Sequence, residues 1–234
     1  MKSENIYFAS DCFFPNLDQY EELRADGDRN EVITFLEEID KTCPNDPTVY
    51  WRFALNYIEL ADTEYNDRGK RSKKEKKRNF QEALEWSKKA IQADTAQKVT
   101  HAYEMASMSF AGILSISGLK TKARLADSVR VYAEQAVHID SDNDRAHHIL
   151  GRWHYEIANL SPFLKRMSGF FFGVTPEGVI GVAERHFRDA ILINDNVVNR
   201  YWLALTLIKQ GMENEGLGHL KVLLNYEDTQ HNDE

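Results

Sequence analysis

The residues best placed to do chemistry in this 234-residue chain are cations. Between Arg68 and Arg78 stand Arg68, Lys70, Arg71, Lys73, Lys74, Lys76, Lys77 and Arg78, against the single acid Glu75. The segment carries +7 on a chain whose total is −8, which leaves −15 on the remainder. The chemistry such a run offers is electrostatic capture of an acidic polymer: an acidic protein tail, a nucleic acid or an anionic membrane. The same run also reads as a solvated extension of the helix that follows it. Nucleic acid is the poorest of these partners. The acidic body repels it, and no aromatic residues alternate with the lysines to stack on bases.

The histidines offer less. His147, His148 and His154 share one helical stretch, but no carboxylate or thiol falls at i+4 from them. HExxH, the phosphate-binding GxxxxGK[ST] and the GxSxG elbow are all missing. His147 and His154 fall on apolar positions of the helical pattern, where packing explains them. The sequence therefore predicts neither catalytic residue, metal nor cofactor. A Phe-rich stretch, Ser161 to Pro176, sets Phe163, Phe170, Phe171 and Phe172 in an expected surface loop. It would either insert into a partner or lipid, or fold back over its own groove. Burial of each ring is worth about 1.5–3 kcal/mol, which favours the second.

What must position these residues is a series of helical hairpins. An i, i+3, i+4, i+7 pattern appears as Tyr50, Phe53, Ala54, Tyr57, as Tyr103, Ala106, Ser107, Phe110, and as His147, Leu150, Gly151, His154. Arg200, Leu203, Ala204, Leu207 is a degenerate fourth copy that ends at Gly211. The helices between carry alanines around aromatic residues, as in Ala83 to Ala90 and Ala183 to Ala190. Ala90, Ala136, Ala190 and Leu223 align, at separations of 46, 54 and 33 residues. The tetratricopeptide period is about 34, so the longer intervals carry insertions, near residues 63–79 and 161–176.

The expected fold is thus all-α, a right-handed superhelical solenoid of tetratricopeptide-like hairpins with about nine or ten helices. Its bounds are an N-terminal extension over 1–14, one repeat domain over 15–226 and a polar tail over 227–234. A partial repeat leads it, with Leu17 to Arg24 and Glu31 to Lys41 helical and Val32, Phe35, Leu36 and Ile39 inward. Hydrophobic residues make up 42% of the chain, enough for a packed core. The two cysteines, Cys12 and Cys43, form no CxxC pair and predict no disulfide framework. Met1 to Phe14 holds no signal-peptide h-region, and no apolar run approaches ~20 residues. A cytosolic or nuclear protein is expected.

The helical register also predicts a concave lining. It comprises Trp51, Leu55 and Ile58, then Glu104, Met108 and Ala111, then His148, Arg152 and Tyr155, then Tyr201, Leu205 and Ile208. Mostly apolar, it suits an amphipathic partner helix, an acyl chain or the protein's own loop.

One block is more particular. Leu150-Gly151-Arg152-Trp153-His154-Tyr155, followed by Asn159-Leu160-Ser161, resembles the regulator of microtubule dynamics family, and the likeness extends over roughly residues 15–225. The resemblance implies a non-enzymatic tetratricopeptide-like protein that associates with microtubules and spindle poles and supports chromosome segregation. It also implies phospholipid binding in relatives that carry an N-terminal membrane anchor. The first 14 residues show no such anchor, which favours the spindle-associated reading, in the cytoplasm and on the cytoskeleton. Tubulin is then the expected partner of the basic run, with phospholipid, an apolar ligand or a partner helix in the groove as the alternative.

Overall fold

A computed structural model describes residues 17–67, 73–172 and 177–230. Among the described residues there are eleven helices and no strand. In chain order they are α1 (Leu17–Asp26), α2 (Arg29–Thr42), α3 (Pro47–Asp67), α4 (Lys73–Ala93), α5 (Thr100–Ser115) and α6 (Leu119–Ile139), followed by α7 (Asp144–Ala158), α8 (Pro162–Phe172), α9 (Ile180–Ile193), α10 (Val197–Lys209) and α11 (Glu213–Gln230). The chain divides into two compact units, Met1–Met105 and Ala106–Glu234, with the boundary inside α5.

In the first unit α2 packs on α3 and α3 on α4. Tyr20, Val32, Leu36, Ile39, Cys43, Val49 and Phe53 form the core, with Trp86 laid flat on Phe53 at a ring-centroid distance of 4.1 Å. The segment Pro44 to Pro47 follows the end of α2 and starts α3. Asn45 adopts a positive φ of 64°, the Asp46 carboxylate accepts the Thr48 N–H at 2.7 Å, and Pro47 takes the first helical position, where its missing N–H costs nothing. Cys43 is buried in this core. The other cysteine of the chain, Cys12, lies outside the described residues.

In the second unit the hairpins are α5/α6, α7/α9 and α10/α11. Ser107 Oγ donates to the Val129 carbonyl at 2.7 Å, and Phe110 stacks on Tyr132, which joins α5 to α6. Between α7 and α9 the backbones come close because Gly151 has no side chain. A Cβ there would lie 2.7 Å from the Phe187 ring. Ala183 and Ala190 are fully buried on either side of Phe187, as are Ala83 and Ala90 in the first unit. Gly211, at φ +82°, makes the turn into α11 that was read from the sequence.

One expectation of local structure changes. The Phe-rich insertion is not a loop: residues 162–172 form helix α8, with Phe163 exposed at 69%. The side chains of Phe170, Phe171 and Phe172 lie outside the described residues. The insertion near 63–79 is mostly helix too, because α3 runs to Asp67 and α4 starts at Lys73. α11 continues to Gln230, into the segment expected as a polar tail. Residues 1–14 and 231–234 lie outside the described residues.

Candidate functional site

Six residues of the basic run, Lys73 to Arg78, form the first turn and a half of α4. Lys73, Lys74, Lys77 and Arg78 are exposed. Lys76 is not: its ammonium pairs with the Asp62 carboxylate of α3 at 3.0 Å and lies 5.7 Å from the Phe80 ring centroid. With 17% of its side chain accessible, Lys76 fastens α4 to α3. Arg68, Lys70 and Arg71 lie outside the described residues. The position of the run opposes helix stability. A helix N-terminus carries about half a positive charge, and cations there are unfavourable by about 0.3–1 kcal/mol each. Lys73 with Lys77, and Lys74 with Arg78, are also like-charged i, i+4 neighbours.

The predicted lining is only partly open. In the first unit Leu55 and Ile58 are 5% and 4% exposed, so they are core rather than ligand surface, a correction to the register argument. The amphipathic stripe of α3 is wider than one packing face, because α3 meets both α2 and α4. Trp51 is half-buried, with its ring 4.6 Å from the His101 ring and the Arg52 guanidinium 4.3 Å above it. Glu104 is buried beside His101, whose Nδ1 is 3.0 Å away.

In the second unit Met108 and Ala111 are half-buried on α5. Here the predicted residues converge on two that sequence reasoning missed, Asn199 and Trp202. The Arg152 guanidinium lies 3.7 Å from the Trp202 ring centroid, and Tyr155 and Tyr201 meet the same indole edge-on at 5.5 and 5.7 Å. His148 Nδ1 is 2.7 Å from Asn199 Oδ1. Burial pushes both Arg152 and His148 below their ordinary pKa values. Tyr201 remains 43% exposed, and Leu205 and Ile208 are half-buried on the same helix.

A third cluster also escaped the sequence. His147 Nδ1 stands 3.0 Å from His186 Nδ1 and 3.8 Å from the Asp189 carboxylate. His147 Nε2 is 3.0 Å from the Ser141 carbonyl oxygen. His154 stacks on His186 at 6.0 Å. Burial, with the positive potential of His147, His154 and Arg185, pushes the His186 imidazole down to about 4. The helical search looked only along α7, whereas His186 and Asp189 come from α9.

The profile of the family described as regulator of microtubule dynamics protein 1-3 matches residues 16–234. The chain belongs to this family. Regulator of microtubule dynamics protein 1 of Pongo abelii is 23% identical over 189 residues, covering 81% of this chain and 57% of that protein. Its namesake in Homo sapiens is 24% identical over 155 residues, covering 66% and 47%. The chain spans about half the length of the curated relatives it matches. Among solved structures, a thermophilic tetratricopeptide repeat protein from Thermus thermophilus superposes with a TM-score of 0.62 at 17% identity, over 89% of this chain and 88% of that one. MamA superposes at 0.57 and 14% identity, over 91% and 96%. At such identities the likeness shows the fold alone: hairpins of the tetratricopeptide type.

The block that suggested this family has a packing role for each of its three central residues. Gly151 admits Phe187, Arg152 covers Trp202, and Trp153 Nε1 donates to the Ala126 carbonyl at 2.8 Å, tying α7 to α6.

Proposed function

We propose that this chain is a non-enzymatic, microtubule-associated repeat protein whose basic α4 start engages the acidic surface of tubulin, and that it acts in spindle microtubule organisation and chromosome segregation, in the cytoplasm and at spindle poles. Membership of the family supports the microtubule-related part. The observation that carries the contact is the placement of Lys73, Lys74, Lys77 and Arg78. They are exposed cations in helical turns whose stability they lower, on a chain of net charge −8. Residues that weaken their own helix need another reason to be there. Arg68, Lys70 and Arg71 extend the same charge in sequence. Lys76 contributes field but is held by Asp62.

The test is co-pelleting of the chain with stabilised microtubules at low and at physiological salt, beside a variant with Lys73, Lys74, Lys77 and Arg78 changed to Glu. Salt-sensitive pelleting that the variant loses supports the contact, since screening shortens to about 8 Å at 0.15 M. Undiminished pelleting of the variant removes the basic run from the interface.

A second reading, phospholipid or apolar-ligand binding or capture of a partner helix, is favoured by the open face of α10. There Tyr201, Leu205 and Ile208 stand beside the Arg152 guanidinium and the Trp202 ring. Mass spectrometry of denatured purified protein should detect co-purifying acyl chains under this reading. A clean spectrum leaves the partner helix.

A further inference from the structure

We infer that His147 on α7 with His186 and Asp189 on α9 binds one divalent transition-metal ion of the zinc class. Their ligand atoms, two imidazole Nδ1 and a carboxylate oxygen, all lie within 4.8 Å of one another. Ligands bonded at about 2.0–2.1 Å around a tetrahedral ion stand about 3.3 Å apart. The observed 3.0 Å between the two nitrogens and 3.8 Å from His147 to Asp189 bracket that spacing. These two spacings are each within about 0.5 Å of the tetrahedral value.

The proton arrangement suits the same reading. His147 Nε2–H donates to the Ser141 carbonyl, which fixes the tautomer and leaves the Nδ1 lone pair turned toward His186 and Asp189. Metal-bound imidazoles commonly have such a carbonyl behind them. Without an ion, only one of the two facing Nδ1 atoms can carry a proton; with His147 in its neutral Nε2–H tautomer, His186 Nδ1–H donates to it. Two neutral imidazoles and one carboxylate select zinc-like ions over magnesium or calcium, which want an all-oxygen shell. Arg185 opposes a cation here, and the Asp189 carboxylate offsets it. Three protein ligands leave a fourth position for water.

The consequence of such an ion is mechanical. His147 lies one helical turn before Gly151, and His186 directly precedes Phe187. An ion bridging α7 and α9 would clamp them beside their closest approach, the Gly151–Phe187 contact.

The experiment uses the full chain, free of any histidine tag and stripped with chelator, then titrated with Zn2+ by calorimetry and with Co2+ by visible absorption. The expected result is one ion per chain, tetrahedral Co2+ bands without thiolate charge transfer, and a higher unfolding midpoint. Asp189→Asn changes a half-exposed group and keeps the packing; it should weaken the affinity at least tenfold, as should His186→Gln. A control, His219→Gln on α11, should leave the affinity unchanged. No stoichiometric binding, or equal affinity in wild type and Asp189→Asn, overturns the site. Either overturning result leaves the microtubule reading untouched, because pelleting is measured separately on the same protein.

Discussion

Residues 17–105 hold a polar cluster of arginines, a carboxylate, a phenol and an amide; residues 106–230 hold clusters of imidazoles and amides. Glu59 receives Arg24 at 2.7 Å and Arg29 at 3.2 Å, and Asn56 donates to the Tyr20 hydroxyl at 3.2 Å. The second unit instead sets His147 against His186 and His148 against Asn199. Both units meet the same packing demand, with alanines letting helices close on an aromatic ring, Trp86 on Phe53 in one and Phe187 under Gly151 in the other. The difference lies in what the polar groups can exchange. Arginine–glutamate pairs stay charged across the physiological range, so the Glu59 network keeps one state. Imidazoles trade protons and metal ions, so the second unit carries its adjustable chemistry inside.

The packing likeness is the part with most free energy behind it. Phe187→Ala should lower stability by about 3–5 kcal/mol in urea unfolding, and Phe53→Ala by a similar amount. Gly151→Ala should cost about 1–3 kcal/mol by overpacking against the ring. With Gly151→Ala and Phe187→Ala combined, the methyl enters the space the ring vacates, and the total should fall short of the sum. Additive losses would mean that Gly151 is not there for Phe187.

The polar contrast gives the next effect. Burial holds the Tyr20 phenol at about 12, against an ordinary value near 10. The folded state keeps that proton at a pH where the unfolded chain has released it, so stability falls as pH rises. The first unit should be fully stable below about pH 10 and lose about 2–3 kcal/mol between pH 10 and 12. Tyr20→Phe should remove most of that loss, with Tyr50 and Tyr57, also raised by burial, leaving a smaller limb; an identical alkaline limb in the variant would assign it elsewhere. The ion pairs rank below this. Glu59→Gln leaves two partly buried guanidinium groups short of their carboxylate and should cost about 1.5–3 kcal/mol. Glu215→Gln, at the exposed Arg188 pair of the second unit, should cost under about 1 kcal/mol. Equal costs would erase the distinction between the units' charge networks.

Periodicity made most of the hairpins legible: the alanines at 90, 136 and 190, the turn at Gly211 and the inward Val32, Leu36 and Ile39 all stand where the pattern put them. A further signal was present and unused. Asp46, Asp94 and Asn143 are each buried ahead of a hairpin's first helix, and their side-chain oxygens accept backbone N–H groups there, with Asn196 doing the same ahead of α10. Side-chain constellations were less legible. The His147 cluster joins residues 39 positions apart, and no spacing rule along one helix can find it. Leu55 and Ile58 were assigned to a surface because register names a face without saying how many neighbours cover it. Phe163 to Phe172 read as a loop because Ser161-Pro162 signals a break; that proline instead begins α8, where a missing N–H is harmless.

A gain rather than a loss of stability separates the two roles of the basic turns most sharply. Lys73→Glu with Lys74→Glu replaces cations at a positive helix end by anions, and places glutamates four residues before Lys77 and Arg78, the favourable order for i, i+4 pairs. Stability of the first unit should rise by about 0.5–2 kcal/mol for the pair. Microtubule pelleting of the same protein should fall. The two readouts move in opposite directions only if these lysines serve a partner at the helix's expense. A variant less stable than wild type would show that the lysines hold the α3/α4 hairpin as Lys76 does through Asp62. One with higher stability and full pelleting would leave the charge as a solvated helix end. Lys76→Gln supplies the internal standard: it should cost stability through the lost Asp62 pair while removing only one positive charge from the surface proposed to meet the microtubule.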